Sequence, residues 1–581
     1  MPTAAAVEKK SEVHEAPKDG LRETVESIVI AFVLAFLFRT FEAEAFVIPT
    51  GSMAPTLMGR HYDTTCPKCG FTVKIGASEE NVDDDPNVNP WQRQQFLEQR
   101  QLRTHTCPNC RYEANFALGG REEGELPTSY SGDRIIVSKF PYEIGSPQRW
   151  DVAVFRYPAT PKTNYIKRIV GLPGETLRIQ NGDIFTSAAG EAEFQMERKP
   201  PHKIVPMLQT VYDNDFVLPE LIEKGYPARW QNEFPTGDGT WKPSDDWKTY
   251  TISGKHAEEA WLRYRHFAPS HDEWESLVEG PLSELQRQRI KPQLVSDMYA
   301  YNSRSPASSG GYDLDVLGLH WVGDLALECE LIAEDNQGTV TLELVEAGRK
   351  HQCQFDLATG VATLSISELP DFKATAKTKV RGACKVALRF ANIDDQLHLW
   401  VNDKLITFDK PTTFGPMPFR SAQPGDWSPI GIAAQGAAAR VSHLRVLRDI
   451  YYVADEARRM MSGPVSDYKD LPPRRNDYLP MFMTDGPFPE TRYVQFPLDK
   501  DQFFALGDNS PKSKDSRLWT GIDSSGHEEY YVHRDLLLGK AMFIYWPHAW
   551  APDWAPSAKL GRFGTVKFPF YPNFSRMQFI R

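Results

Sequence analysis

Residues 46–57 read Phe46-Val47-Ile48-Pro49-Thr50-Gly51-Ser52-Met53-Ala54-Pro55-Thr56-Leu57. A serine set between Gly51 and Met53 is, taken alone, an ordinary turn residue. Its surroundings in the chain change that reading.

Just upstream, residues 28–38 (IVIAFVLAFLF) form an unbroken apolar run, which extends over Val25–Phe41 if Glu26 and Arg39 snorkel at its ends. A buried core helix is the weakest of three readings, because the run is apolar on every side. Two readings stay open: a retained membrane anchor over 25–41, and the apolar region of a cleavable signal peptide, since Ala43-Glu44-Ala45 has the small-x-small form of a cleavage site. Lys9, Lys10, Lys18 and Arg22 precede the run, whereas Thr40 to Gly59 holds no Lys or Arg. The positive-inside count therefore keeps residues 1–24 cytoplasmic and exports the chain beyond the run, under either reading.

Downstream stand three further boxes: GDRIIVSKFPY at 132–142, NYIKRIVGLPGE at 164–175 and GDNSPKSKDSR at 507–517. Hydrolysis of a peptide bond by a serine needs a base for the hydroxyl proton, and Lys167 lies on the apolar, strand-like stretch Tyr165–Leu172. A lysine with a pKa near ~10.4 is almost wholly protonated at neutral pH. Burial disfavours the ammonium and frees a neutral amine. The bland alternative is a snorkelling surface lysine, and only the company of the other boxes overturns it.

Together and in this order, the four boxes resemble the signature segments of type I signal peptidases, over roughly residues 20–185 and 495–581. The resemblance implies a mostly β peptidase core behind one N-terminal transmembrane helix, in the cell membrane, with its catalytic part outside the cytoplasm. It makes Ser52 the nucleophile and Lys167 the general base, a Ser-Lys variant of triad logic. It gives Ser513 the task of orienting the lysine, Thr50 with the Ser52 N–H that of the oxyanion hole, and Asp515 and Arg517 that of holding the loop. The family often has serine where Thr50 stands. Ile48, Pro49, Met53, Leu57, Tyr165 and Ile166, together with Thr50, fall where the family builds shallow pockets for small side chains. The implied substrates are the signal peptides of exported preproteins, cut after Ala-x-Ala, with no catalytic cofactor. A protease tethered beside tethered substrates gains effective concentration, so the anchor is read as retained. Membrane lipid is then a partner, and Phe543 to Trp554 suits the interface as well as it suits a core strand.

Cys66-Pro67-Lys68-Cys69 and Cys107-Pro108-Asn109-Cys110 have the ligand set of a four-cysteine zinc ribbon over 66–110. With all four thiolates used, such a zinc is structural; two disulfides are the competing reading. The total of seven cysteines is odd, which argues against an all-disulfide framework.

At 581 residues the chain exceeds a single core, and its 41% hydrophobic and 25% charged composition is that of folded protein. A net charge of -11 offers no basic footprint for a phosphate backbone, so no nucleic-acid partner is expected. The peptidase core is assigned to 42–65, 111–185 and 495–581, with a linker at 451–494. Residues 186–310 stay unassigned, apart from a helical stretch near Ser283–Arg289. Residues 311–450 alternate with period two and are read as an antiparallel β-sandwich that resembles concanavalin-like or laminin-G-like domains. Such domains take glycans or act only as spacers; Trp400 is expected in the core. The rival function is an anchored, non-catalytic scaffold with a decayed peptidase fold. Self-cleaving repressor peptidases share the dyad but carry a DNA-binding module and no anchor.

Overall fold

The computed structural model describes residues 24–33, 43–81, 102, 104–115, 129–233, 240–254, 256–303, 318–415, 421–456, 465–466, 493–519, 530–547, 557–559, 565–567 and 574–581. Among them β-structure dominates, in agreement with the mostly β reading.

The peptidase boxes build one seven-stranded sheet in the order Ala43–Val47, Arg134–Ser138, Leu537–Trp546, Val152–Tyr157, Thr160–Gly171, Gln502–Leu506 and Val532–His533. Segments from both ends of the chain thus meet in a single sheet. Val152–Tyr157 and Thr160–Gly171 form a hairpin around Pro158 and Ala159, with Lys167 opposite Ala153. Side chains alternate across the sheet. On one side Val152 and Val154 pack with Ile135, Val137 and Ile544. On the other, Ala153 and Phe155 pack with Ile169, Phe503 and Trp519. A four-stranded sheet, Gln195–Met196, Asp183–Ala188, Glu175–Gln180 and Tyr493–Pro497, extends the core.

The central insertion is a sandwich of two antiparallel sheets. One includes Ala439–Arg448, Leu325–Ala333 and Cys384–Ile393; the other includes Ile430–Gln435, Thr339–Glu346 and Arg349–Asp356. Leu327, Leu331, Phe390 and Val441 from the first meet Leu342, Phe355, Leu364 and Ile432 from the second in one core. Strands that precede residue 311 join both sheets. Gln209–Asp213 and Tyr250–Ile252 join the first sheet, and Trp230–Asn232 and Ala260–Tyr264 join the second. These short strands of the unassigned 186–310 region therefore pair within the sandwich sheets. Near its end, Glu284–Arg289 is helical, with Ser283 and Gln286 forming a capping box. Trp400 is buried against Ile204, Ala391 and Leu447, as a core residue.

Two small hairpins, His61–Thr65 with Thr72–Gly76 and Thr104–Thr106 with Glu113–Asn115, carry the cysteine pairs, so this unit is wider than 66–110. All seven cysteines are free thiols.

Residues 24–33 are helical, and Val25, Ile28, Val29, Ile30, Phe32 and Val33 are all exposed. No helix among the described residues is long and apolar enough to cross a membrane. Residues 34–41 of the expected anchor lie outside the described residues, as do 548–554 of the aromatic tail.

Candidate active site

Ser52 sits in a single 3-10 turn, Gly51–Met53, just after the first strand of the large sheet. Lys167 reaches it from the inner half of Thr160–Gly171, where exposure gives way to burial. The lysine Nζ donates to Ser52 Oγ at 2.7 Å and to the Ile166 carbonyl at 3.0 Å. Lys167 is only 4% exposed. Burial lowers its pKa from 10.5 to about 8, against the pull of Asp515 and Asp508, with Arg517 lowering it further. A buried amine this close to neutrality can accept a proton from a hydroxyl in hydrogen-bond contact.

Alternation along the strand sends Lys167 and Arg168 to opposite sides. Lys167 shares its side with Tyr165, whose ring centroid is 5.3 Å from Nζ and which stacks on Tyr157 at 4.5 Å. Arg168, fully buried, makes a bidentate pair with Asp508, Nε to Oδ1 at 2.8 Å and Nη2 to Oδ2 at 2.6 Å. Thr56 Oγ1 donates to the same carboxylate at 2.5 Å. This ion pair ties the lysine strand, the nucleophile segment and the last box together. No local pattern singles out Arg168, Asp508 or Thr56, although all three lie inside the boxes.

Asp515 and Arg517 also form a buried bidentate pair, at 2.8 Å for both bonds. Arg517 further donates to the Val453 carbonyl and to Ser510, and Asp515 accepts the Gly507 N–H at 3.0 Å. Ser513 is buried beside this turn, but its Oγ makes no hydrogen bond among the described residues. The lysine-orienting bond expected of Ser513 is not formed in this structure, where the Lys167 amine bonds to Ser52 and Ile166. Gly507 lies so close that a Cβ there would stand 2.1 Å from Ser513 Oγ and 2.4 Å from the Ser52 carbonyl oxygen.

Of the expected pocket residues, Ile48, Met53 and Leu57 are buried in one cluster with Ile166 at its margin. They form the floor under the turn rather than an open wall. Pro49 and Thr50 are exposed above it.

The four knuckle cysteines converge within 4.8 Å of one another. Cys66 and Cys110 sulfurs are 3.6 Å apart, as are those of Cys69 and Cys107. Four sulfurs about 2.3 Å from one zinc lie about 3.8 Å apart along each tetrahedral edge, whereas a disulfide closes to about 2.05 Å. The residues therefore fit a metal held by four thiolates, and the structure holds no disulfide between them. Each knuckle closes alike: the Gly70 N–H donates to the Cys66 carbonyl, and the Arg111 N–H to that of Cys107.

Residues 121–216 and 455–546 match the family model described as signal peptidase, peptidase S26. That match takes in Lys167, Ser513, Asp515 and Arg517, and Ser52 precedes it. Signal peptidase I of Pseudomonas fluorescens is 42% identical over 87 residues, 13% of this chain and 31% of that protein. Its Pseudomonas aeruginosa counterpart is 53% identical over 64 residues, 9% and 22% of the two chains. That of Bacillus caldolyticus is 32% identical over 111 residues, 19% and 57%. The chain thus spans between 22% and 57% of the length of these relatives. Among solved structures, the carbohydrate binding module CBM66 from Bacillus subtilis aligns with a TM-score of 0.21 at 11% identity, over 38% of this chain and 95% of that one. In the two matched stretches, which lie outside most of the sandwich, the chain is similar to the signal peptidases of peptidase family S26.

Proposed function

We propose that this chain is a membrane-tethered serine endopeptidase of the signal peptidase I kind, which removes signal peptides from exported preproteins after small-x-small sites. The observation that carries this reading is the 2.7 Å contact between a buried Lys167 amine, lowered to about 8, and Ser52 Oγ.

In the proposed reaction, neutral Lys167 takes the Ser52 proton as Oγ bonds to the scissile carbonyl carbon. The Ser52 N–H and the Thr50 hydroxyl receive the oxyanion. The Lys167 ammonium then protonates the departing amine as the C–N bond breaks. A water, deprotonated by the same amine, hydrolyses the acyl-enzyme, and its proton returns to Ser52. Ser513 turns its hydroxyl toward the amine during this cycle, while Asp515–Arg517 holds the loop. Substrate lies as an added strand beside Pro49–Thr50 and Tyr165, and the filled floor of Ile48, Met53, Leu57 and Ile166 leaves depth only for small side chains. The exposed apolar helix at 24–33 begins the anchor, with the peptidase outside the cytoplasm. Zinc at Cys66, Cys69, Cys107 and Cys110 is structural, and the sandwich acts as a spacer, its Trp400 being unavailable to a sugar.

The test is cleavage of leader peptides ending in Ala-x-Ala by detergent-solubilised protein. Wild type should cut after the second Ala, with an ascending pH limb centred near the lowered Lys167 value of about 8, and Ser52→Ala and Lys167→Ala should be inactive. A wild type inactive on several leaders, or active mutants, would replace this reading by the anchored scaffold.

A further inference from the structure

We propose that Asn302, contributed by the central insertion, is a positioning residue for the Ser52 nucleophile, acting through Asn509; the inference rests on the peptidase reading above.

Asn509 grips the nucleophile turn twice. Its backbone N–H donates to the Ser52 carbonyl at 3.0 Å, and its Nδ2 donates to the Gly51 carbonyl at 3.1 Å. The second bond requires one of the two orientations of the side-chain amide. The Gly51 carbonyl selects that orientation, and Asn302 holds the side chain there through a reciprocal pair: Asn302 Nδ2 donates to Asn509 Oδ1, and Asn509 Nδ2 donates to Asn302 Oδ1, both at 2.8 Å. Both side chains are buried, so no solvent competes for either amide. A flipped Asn509 would set its oxygen against the Gly51 carbonyl, and against Asn302 Oδ1 as well while Asn302 keeps its present orientation, leaving buried acceptors facing acceptors.

The residues flanking Asn302 show how firmly it is placed. Tyr301 packs beneath the turn, and a Cβ on Gly51 would stand 2.2 Å from its ring. Its hydroxyl donates to the Arg60 carbonyl at 3.3 Å. Ala300 belongs to the core of the cysteine unit with Cys66, Cys107 and Cys110. Ser303 Oγ accepts the Thr106 N–H at 3.1 Å, one residue before Cys107. Four consecutive residues of the insertion therefore lock the cysteine unit on one side and the nucleophile turn on the other. From the hairpin side, Ser78 Oγ accepts the Gly51 N–H at 3.0 Å and Asn81 Nδ2 donates to the Pro49 carbonyl at 2.6 Å. The turn bearing Ser52 is thus held by Asn509 of the last box and also by parts of the chain outside the four boxes. The Ser52–Lys167 distance is fixed with it, and displacement of reacting groups by about 1 Å can cost on the order of 100-fold in rate.

The experiment compares full-length wild type, Asn302→Ala and the isosteric Asn302→Asp on one Ala-x-Ala leader peptide, reading kcat, KM and thermal stability across pH. Asn302→Ala should lose about 10- to 100-fold in kcat with KM little changed. A carboxylate at 302 still accepts from Asn509 but cannot donate to its Oδ1, whereas a carboxylic acid can. The kcat of Asn302→Asp relative to wild type at the same pH should therefore rise as pH falls, a trend that a purely structural role would not produce. If Asn302→Ala fails to fold, the Asp variant carries the test alone. Active wild type with both variants at wild-type kcat, or with only KM altered, overturns the positioning role and leaves the peptidase reading standing. Inactive wild type overturns the peptidase reading itself.

Discussion

Replacing Lys167 by Met should abolish cleavage and stabilise the native state at neutral pH. The side chain is buried, and its pKa falls from 10.5 to about 8 in the fold. Below pH 8 native and unfolded chains both carry the proton, and the native state bears a buried ammonium. At about 1.4 kcal/mol per pH unit, that burden is about 3 kcal/mol. Between about pH 8 and 10.5 the native amine is neutral while the unfolded one stays charged, so the unfolded state binds more protons and wild-type stability climbs with pH. Methionine does not titrate. The stability advantage of Lys167→Met should therefore shrink by about 3 kcal/mol from roughly pH 7 to 10.5. The hydrogen bonds lost at Ser52 and Ile166 add only an offset independent of that trend. Because the chain has several folding units, the measurement should be local: native-state hydrogen exchange of the Thr160–Gly171 strand in both proteins across this range. A difference between variant and wild type that stays flat with pH would refute a burial-depressed amine and, with it, the neutral base.

Other substitutions probe the supports of the site. Asp508→Asn leaves Arg168 buried without its counter-charge and should destabilise the core by about 3 kcal/mol or more, read from native-state hydrogen exchange of the Thr160–Gly171 strand. Gly507→Ala forces a Cβ into the Ser52 carbonyl and should cut kcat on the order of 100-fold, measured on a leader peptide. Purified protein should contain about one zinc per chain, and its removal by chelator should expose four reactive thiols and lower the thermal midpoint; elemental analysis and thiol titration check both, and an unchanged fold after chelation would sink the structural-metal reading.

The parts of the site that the sequence makes legible are those written in short local motifs. Ser52 and Lys167 stand in short boxes that become informative through their order along the chain, and the cysteine knuckles suggest their ligands by spacing. Asn302 carries no such mark: its partner lies 207 positions away, and its neighbours Tyr299–Ser303 match no motif. Arg168 and Asp508 are 340 positions apart and read singly as surface charges. The early strands of the sandwich escape for a related reason. Trp230–Asn232 and Tyr250–Ile252 are three residues long, too short to display a period of two, and Tyr250 finds its partner in Val441. Pairing across such separations is decided by packing of the whole unit rather than by local preference.

That pairing bears on how the chain folds. Gln209–Asp213, the first strand of the sandwich, lies antiparallel to Ala439–Arg448, its last, and beyond them the Tyr452 N–H donates to the Gly182 carbonyl. The insertion therefore leaves and re-enters the peptidase at nearly one point. Closing an unstructured loop of roughly 250 residues would cost about 5 kcal/mol of chain entropy before any peptidase strand could pair across it. A sandwich that folds first removes that barrier, because its own ends already meet. Folding order is then expected to run from the middle outward, and a mutation that weakens the Gln209–Asp213 pairing should slow formation of the active site without touching any residue in it.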